Sequence, residues 1–323
     1  MAVKRLWKRL PVFLLAFLMC AMSLPLHGLA RGLVDTDHPA TFTLQYDLSD
    51  AAFWLYRVAD VSESGEFSSA GEFASYAVDL TDQDSAGWRA LAETLDGYVQ
   101  RDGLEPAEAG RTSQEGILTF SGLKPGLYLV LGESAEKDGT VYDPMPFLVS
   151  LPGLDETDDW VYDVTSKVKY DKHDIPSKEM TERKVIKIWK DEGQENSRPK
   201  EISVQLLCDG KVYDTVSLSA DNDWRYTWEE LDADCRWQIV EKDVPEGYTV
   251  SASLEGSTFV LTNTFKTPEP AVPSETSPGN TPDKPSRLPY TGMLWTPVIF
   301  LALGGMLLFL IGWFRHSRWN RKS

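Results

Sequence analysis

The stretch Val185-Ile186-Lys187-Ile188-Trp189 decides how the chain is read. Its β-branched residues favour extended backbone, and successive side chains of a strand point to opposite faces. Lys187 therefore shares a face with Val185 and Trp189. Two later stretches repeat the pattern. In Trp237-Gln238-Ile239-Val240-Glu241, Glu241 shares a face with Trp237 and Ile239, and in 259–263 Asn263 shares one with Phe259 and Leu261. Three polar groups are thus expected to point into an apolar interior. Burying any one of them alone is very costly, so they require a common explanation. The plain one is a buried Lys–Glu pair with Asn263 as a strand-end hydrogen bonder.

Working outward, Arg198-Pro199-Lys200-Glu201-Ile202-Ser203-Val204-Gln205-Leu206 is followed by Asp209-Gly210, Trp224-Arg225-Tyr226-Thr227-Trp228 and Pro245-Glu246-Gly247-Tyr248. Short strands between turn residues predict a small β-sandwich over 182–266. With its RPxxIxVxL element, late Glu, PxGY turn and terminal Thr262-Asn263-Thr264-Phe265 in order, this run resembles the B-type repeat domain of the staphylococcal collagen adhesin, found throughout Gram-positive pilins. The resemblance implies an intramolecular isopeptide bond between Lys187 and Asn263, with Glu241 assisting. It does not imply collagen binding, because the B-type repeat is a stalk module in that family.

Ahead of it, 41–46 and 52–58 alternate as strands, and 76–80, 116–120, 127–131, 144–151 and 160–168 continue the pattern. In 85–99 the period changes. Trp88, Leu91, Ala92, Leu95 and Tyr98 line one face of a helix capped by Asp84 or Ser85 and packed on a sheet. The expectation for 31–169 is a second β-sandwich with one inserted helix, and for the charged 170–181, which contains Pro176, an inter-domain linker. Phe53–Val58 with Ala59-Asp60, Gly122-Leu123 to Gly126-Leu127-Tyr128, and Tyr142 to Pro152 resemble the N-terminal domain of sortase-assembled pilin subunits. That implies a mainly β chain of two Ig-like or prealbumin-like sandwiches. In such pilins a WxxxVxVYPK pattern supplies a polymerising lysine. Trp160 and Val164 fit and Lys169 holds the lysine position, but Ser166-Lys167-Val168 replaces Val-Tyr-Pro. A minor or basal subunit is the expectation. The first strand, 41–46, has no lysine, so no isopeptide bond is expected in this domain.

Both ends read as sorting elements. Lys4, Arg5, Lys8 and Arg9 precede an apolar run over 12–24 and the small residues Gly28-Leu29-Ala30, which reads as a signal peptide over 1–30. Residues 267–287 hold six prolines and form a spacer, which as polyproline II reaches about 65 Å. After Leu288-Pro289-Tyr290-Thr291-Gly292 comes the uncharged stretch 294–314, then Arg315, Arg318, Arg321 and Lys322. As a helix that stretch rises about 31 Å, enough to cross a bilayer, with the basic tip inside. The three parts, over 288–323, resemble the LPxTG cell-wall sorting signal. The resemblance implies a sortase that cleaves Thr291–Gly292 and joins Thr291 to peptidoglycan or to another pilin subunit. The resulting wall-anchored, pilin-like surface protein of a Gram-positive bacterium has one alternative, a stand-alone adhesin that binds a host matrix protein or glycan.

Composition narrows the rest. The formal net charge of −17 repels nucleic acid, and the stretch between signal and tail is more acidic still. No familiar catalytic, metal or cofactor motif stands in the sequence, so no enzyme activity, metal or cofactor is expected. Cys208 and Cys235 lie in or beside neighbouring strands. Two buried free thiols are expected there, a disulfide being the alternative.

Overall fold

The computed structural model describes residues 32–81, 83–174 and 180–266. The signal, the spacer, the pentapeptide Leu288–Gly292 and the apolar stretch 294–314 lie outside the described residues. Among the described residues no helix is long and apolar enough to cross a membrane. They are mainly β, with one α-helix.

The first domain closes around two facing sheets. One has the order β12-β1-β5 (Asp163–Lys167, Ala40–Gln45, Ile117–Leu123). The other has the order β3-β2-β6-β9 (Phe67–Ser69, Ala52–Val61, Gly126–Gly132, Phe147–Leu151), with β4 (Glu108–Arg111) paired to β2. Phe42 and Leu44 from the first sheet pack on Phe53, Leu55, Tyr128, Val130 and Leu151 from the second. The second sheet is buried on both faces, which is why β6 reads as an unbroken apolar run, Leu127-Tyr128-Leu129-Val130-Leu131. Its other face carries the helix α1, Ser85–Asp102.

Asp84 caps α1, its Oδ1 accepting from the amides of Ala86 and Gly87 at 3.0 and 2.8 Å. Gly103, at φ +64°, closes the other end in the left-handed conformation that glycine adopts without strain. Trp88, Leu91, Ala92, Leu95 and Tyr98 are all buried, as the helical period requires.

The second domain is also two-layered. The order β17-β14-β20-β19 (Arg225–Asp232, Met180–Lys190, Thr258–Phe265, Tyr248–Glu255) faces β16-β15-β18 (Lys211–Ser219, Glu201–Cys208, Trp237–Glu241). In both domains a late strand lies parallel to the first, β12 on β1 and β20 on β14.

Three expectations need correction. Residues 76–80 are not a strand. Val78 and Leu80 are buried, which produced the alternation, but the segment's tie to a strand is a single bond from the Val250 amide to the Ala77 carbonyl, not a ladder. The start of the expected linker belongs to the first domain. Tyr170–Asp174 forms β13 and pairs with β8 (Thr140–Pro144), itself paired with β7 (Ala135–Lys137). There Lys172 sits over the rings of Tyr142 and Tyr170, a contact that a count of charges and prolines does not reveal. Finally, Cys208 and Cys235 are joined as a disulfide and are only half-buried, not two buried thiols. Cys208 ends β15, and the loop carrying Cys235 leads directly into its neighbour β18, which brings the two Cα atoms to 5.4 Å.

Candidate functional site

Three strands bring Lys187, Glu241 and Asn263 together. In the parallel pair β14–β20, Lys187 stands opposite Leu261 and Trp189 opposite Asn263. Lys187 and Asn263 are therefore diagonal neighbours on the inner face. Glu241 reaches them from β18 in the facing sheet. Lys187 Nζ donates to Glu241 Oε2 at 3.0 Å, and Asn263 Nδ2 donates to Glu241 Oε1 at 3.0 Å. The side chains of Lys187 and Glu241 are fully buried, and Asn263 is too. All three residues singled out by strand alternation thus meet in one dry site.

Burial sets the electrostatics. Desolvation pulls the Lys187 amine down to about 8, against the attraction of Glu241. It pushes the Glu241 carboxyl up, against the attraction of Lys187 and the bonds from Lys187 and Asn263. Both shifts favour the neutral forms, an amine with a free lone pair beside a carboxylic acid. Asn263 Oδ1 has no hydrogen-bond partner. A buried carbonyl left unpaired costs about 1–3 kcal/mol. Turning the amide over would bring that oxygen to Glu241, where a protonated carboxyl can donate to it.

The walls of the site include residues that sequence reasoning did not assign. Lys187 Nζ lies 4.6 Å from the centre of the Trp189 ring, and Trp189 meets Trp224 and Tyr248 edge-on at 5.2 Å. Beyond them, Asp191 is buried and accepts two bonds from Arg198, at 2.8 and 2.6 Å, and one from the Tyr248 hydroxyl at 2.9 Å. Those bonds hold Asp191 below the usual carboxylate range, Arg198 contributing most. This clamp explains the Arg of the RPxxIxVxL element and the Tyr of the PxGY turn, and the spacing of those motifs around the end of β14 was the available signal.

Lys169 stands apart. It is exposed, in the first domain between β12 and β13, and its carbonyl accepts from the Met145 amide at 2.9 Å.

Comparison with known proteins bears on the second domain. Residues 183–264 match the family model described as Cna protein B-type domain. The collagen adhesin of Staphylococcus aureus is 32% identical over 118 residues, which cover 33% of this chain and 10% of that protein. The chain therefore spans about a tenth of that relative's length. Among solved structures, a single B repeat unit of the S. aureus collagen-binding surface protein covers 71% of this chain and 99% of its own at 17% identity and a TM-score of 0.26. The full-length major pilin SpaD of Corynebacterium diphtheriae covers 72% and 99% at 13% identity and a TM-score of 0.26. Scores this low leave the sequence match as the informative one, in which residues 183–264 are similar to the Cna protein B-type domain.

Proposed function

We propose that this chain is a pilin-like structural protein of a Gram-positive cell surface, whose second domain is locked by an isopeptide bond between Lys187 and Asn263. The observation that carries the reading is the closed, fully buried contact of Lys187, Glu241 and Asn263 within a B-type domain. The neutral Lys187 amine attacks Cγ of Asn263. A bond forms from Nζ to Cγ, and the bond from Cγ to Nδ2 breaks. Glu241 donates to the carbonyl oxygen as charge develops there, accepts a proton from Nζ and returns one to the departing nitrogen, which leaves as ammonia. The fold holds the reactants side by side, which supplies a large effective molarity.

The same reading makes the ends of the chain handling signals. Residues 1–30 direct secretion, and the pentapeptide Leu288–Gly292 is a sortase substrate cut at Thr291–Gly292. The Thr291–Gly292 bond breaks, the segment from Gly292 onward leaves, and the sortase passes the Thr291 carbonyl to an amine of peptidoglycan or of another subunit. With Val-Tyr-Pro missing ahead of the exposed Lys169, the chain fits a minor or basal position better than a repeating shaft.

Intact-mass measurement tests the central step. With the disulfide reduced, the chain is expected to weigh one ammonia less than its sequence requires, and Lys187→Ala to restore the mass its own sequence requires. A wild-type chain of full sequence mass rejects the bond.

A further inference from the structure

Helix α1 belongs to the first domain by sequence, yet one of its faces belongs to the second. The second sandwich is open on one side, between β18, an edge of its smaller sheet, and β19, an edge of its larger one. Helix α1 fills that opening. Against β19, Thr94 Oγ1 accepts from the Ala252 amide at 2.7 Å, and Glu93 Oε2 accepts from the Leu254 amide at 3.0 Å. These are unpaired donors of an edge strand, satisfied by side chains from another domain.

Against β18 the contact runs through Asp96, Gly97 and Tyr98. Trp237, Ile239 and Glu241 point inward, so Gln238 and Val240 point out. Val240 is nonetheless only 2% exposed, because α1 covers it. Asp96, itself 1% exposed, accepts from Arg236 at 2.6 Å and from Gln238 at 2.8 Å. Gly97 lies against the strand at Ile239 and Val240. A Cβ there would stand 2.9 Å from Val240 Cγ1 and 3.2 Å from the Ile239 carbonyl oxygen. Glycine inside a helix costs about 1 kcal/mol relative to alanine, and this approach is what it permits. The Tyr98 hydroxyl then reaches 3.4 Å from the backbone oxygen of Glu241 itself.

We infer that Asp96, Gly97 and Tyr98 of helix α1 are positioning residues for the cross-link: docked on β18, they hold Glu241 against Lys187 and Asn263. The inference rests on the isopeptide reading above. A strand clamped on one edge by β15 and on its outer face by a helix cannot drift or admit water behind Glu241. A misplacement of about 1 Å is enough to slow such a reaction about 10²-fold.

The test follows ammonia loss by intact mass after cell-free synthesis of the full chain, wild type against Gly97→Leu, with circular dichroism to confirm folding. The expected result is a rate about 10²-fold lower in the folded variant, with Gly97→Ala between the two. The pH profile separates positioning from plain destabilisation. The groups facing Glu241 are Lys187 from β14, Asn263 from β20 and Tyr98 from α1. Displacing α1 lets water reach Glu241, so the limb on which the rate falls with rising pH moves to lower pH. A loss of folded protein alone lowers the rate without moving that limb. If Gly97→Leu does not fold, Gly97→Ala and Tyr98→Phe decide by the same two readings. Wild-type rate and profile in the folded variants overturn this inference and leave the cross-link standing. A wild-type chain that never loses ammonia rejects the cross-link itself.

Discussion

In the first domain β1 lies parallel to β12, with Phe42 opposite Val164 and Leu44 opposite Ser166. In the second, β14 lies parallel to β20, with Lys187 opposite Leu261 and Trp189 opposite Asn263. The two seams occupy the same place in their sandwiches and are filled by different chemistry. The first is aliphatic and aromatic, and its inward polar group, Ser166 Oγ, is buried without a partner. It holds only as long as its apolar surface stays out of water. The second buries an amine, a carboxyl and an amide, a poor choice for a seam meant to hold by burial alone. It becomes sensible if the polar groups are reactants. The second domain also carries the disulfide, while the first has no cysteine between positions 32 and 174. The disulfide and the proposed cross-link therefore sit in one domain.

The largest expected effect comes from removing the proposed bond while sparing the ion pair. Asn263→Ala leaves Lys187 facing Glu241 and frees a loop closed between positions 187 and 263. Loop-closure entropy puts the loss at about 4–5 kcal/mol, read from the urea midpoint of the second domain. Hydrogen exchange sharpens the contrast: amides of β14 and β20 should exchange more slowly than those of β1 and β12 in the wild type. In Asn263→Ala that gap should close. An unchanged midpoint would mean that both seams are held by packing.

Next in size is the disulfide, which closes 27 residues. Replacing Cys208 and Cys235 by serine should cost about 3.5 kcal/mol in the second domain and leave the first untouched. Thiol titration of the unfolded, unreduced chain, freed of residues 1–30 and with them Cys20, should find neither Cys208 nor Cys235 free. Two titratable thiols would restore the free-thiol expectation.

Sequence patterning succeeded where one physical signal dominated. Period-two alternation placed Lys187, Glu241 and Asn263 on inner faces, and the structure joins them. Period 3.6 placed the apolar face of α1. The second buried face of α1 left no such signal, because Thr94, Asp96 and Gly97 are residues that a helix ordinarily turns to solvent. Their burial follows from Arg236, Gln238 and the open edge of a domain 140 residues away in the sequence. Tyr76–Leu80 and Tyr170–Asp174 failed in opposite directions for one reason. Alternation reports burial, whereas a strand requires a ladder on a partner's backbone, and β13 has one in β8 while 76–80 has a single bond from Val250.

The smallest effect tests the electrostatics on which the second seam's chemistry depends. Lys187→Met removes the attraction that opposes the upward shift of Glu241, so burial alone then governs that carboxyl. A carboxyl whose pKa is higher folded than unfolded contributes stability that is fully present below the unfolded value, about 4.3, and lost as pH rises through the folded value. Lys187→Met should therefore gain stability as pH falls from the folded value toward the unfolded one, by about 1.4 kcal/mol per pH unit across that interval. Other carboxylates oppose this trend, among them Asp191 and Asp102, both lowered chiefly by arginine bonds and so losing their contribution in acid. The comparison is accordingly with Lys187→Met/Glu241→Gln, in which those groups are unchanged. The difference between the two melting curves isolates Glu241. A difference that stays flat with pH would mean that the carboxyl is hydrated and ordinary, and a hydrated carboxylate could not serve as the acid that the cross-link needs.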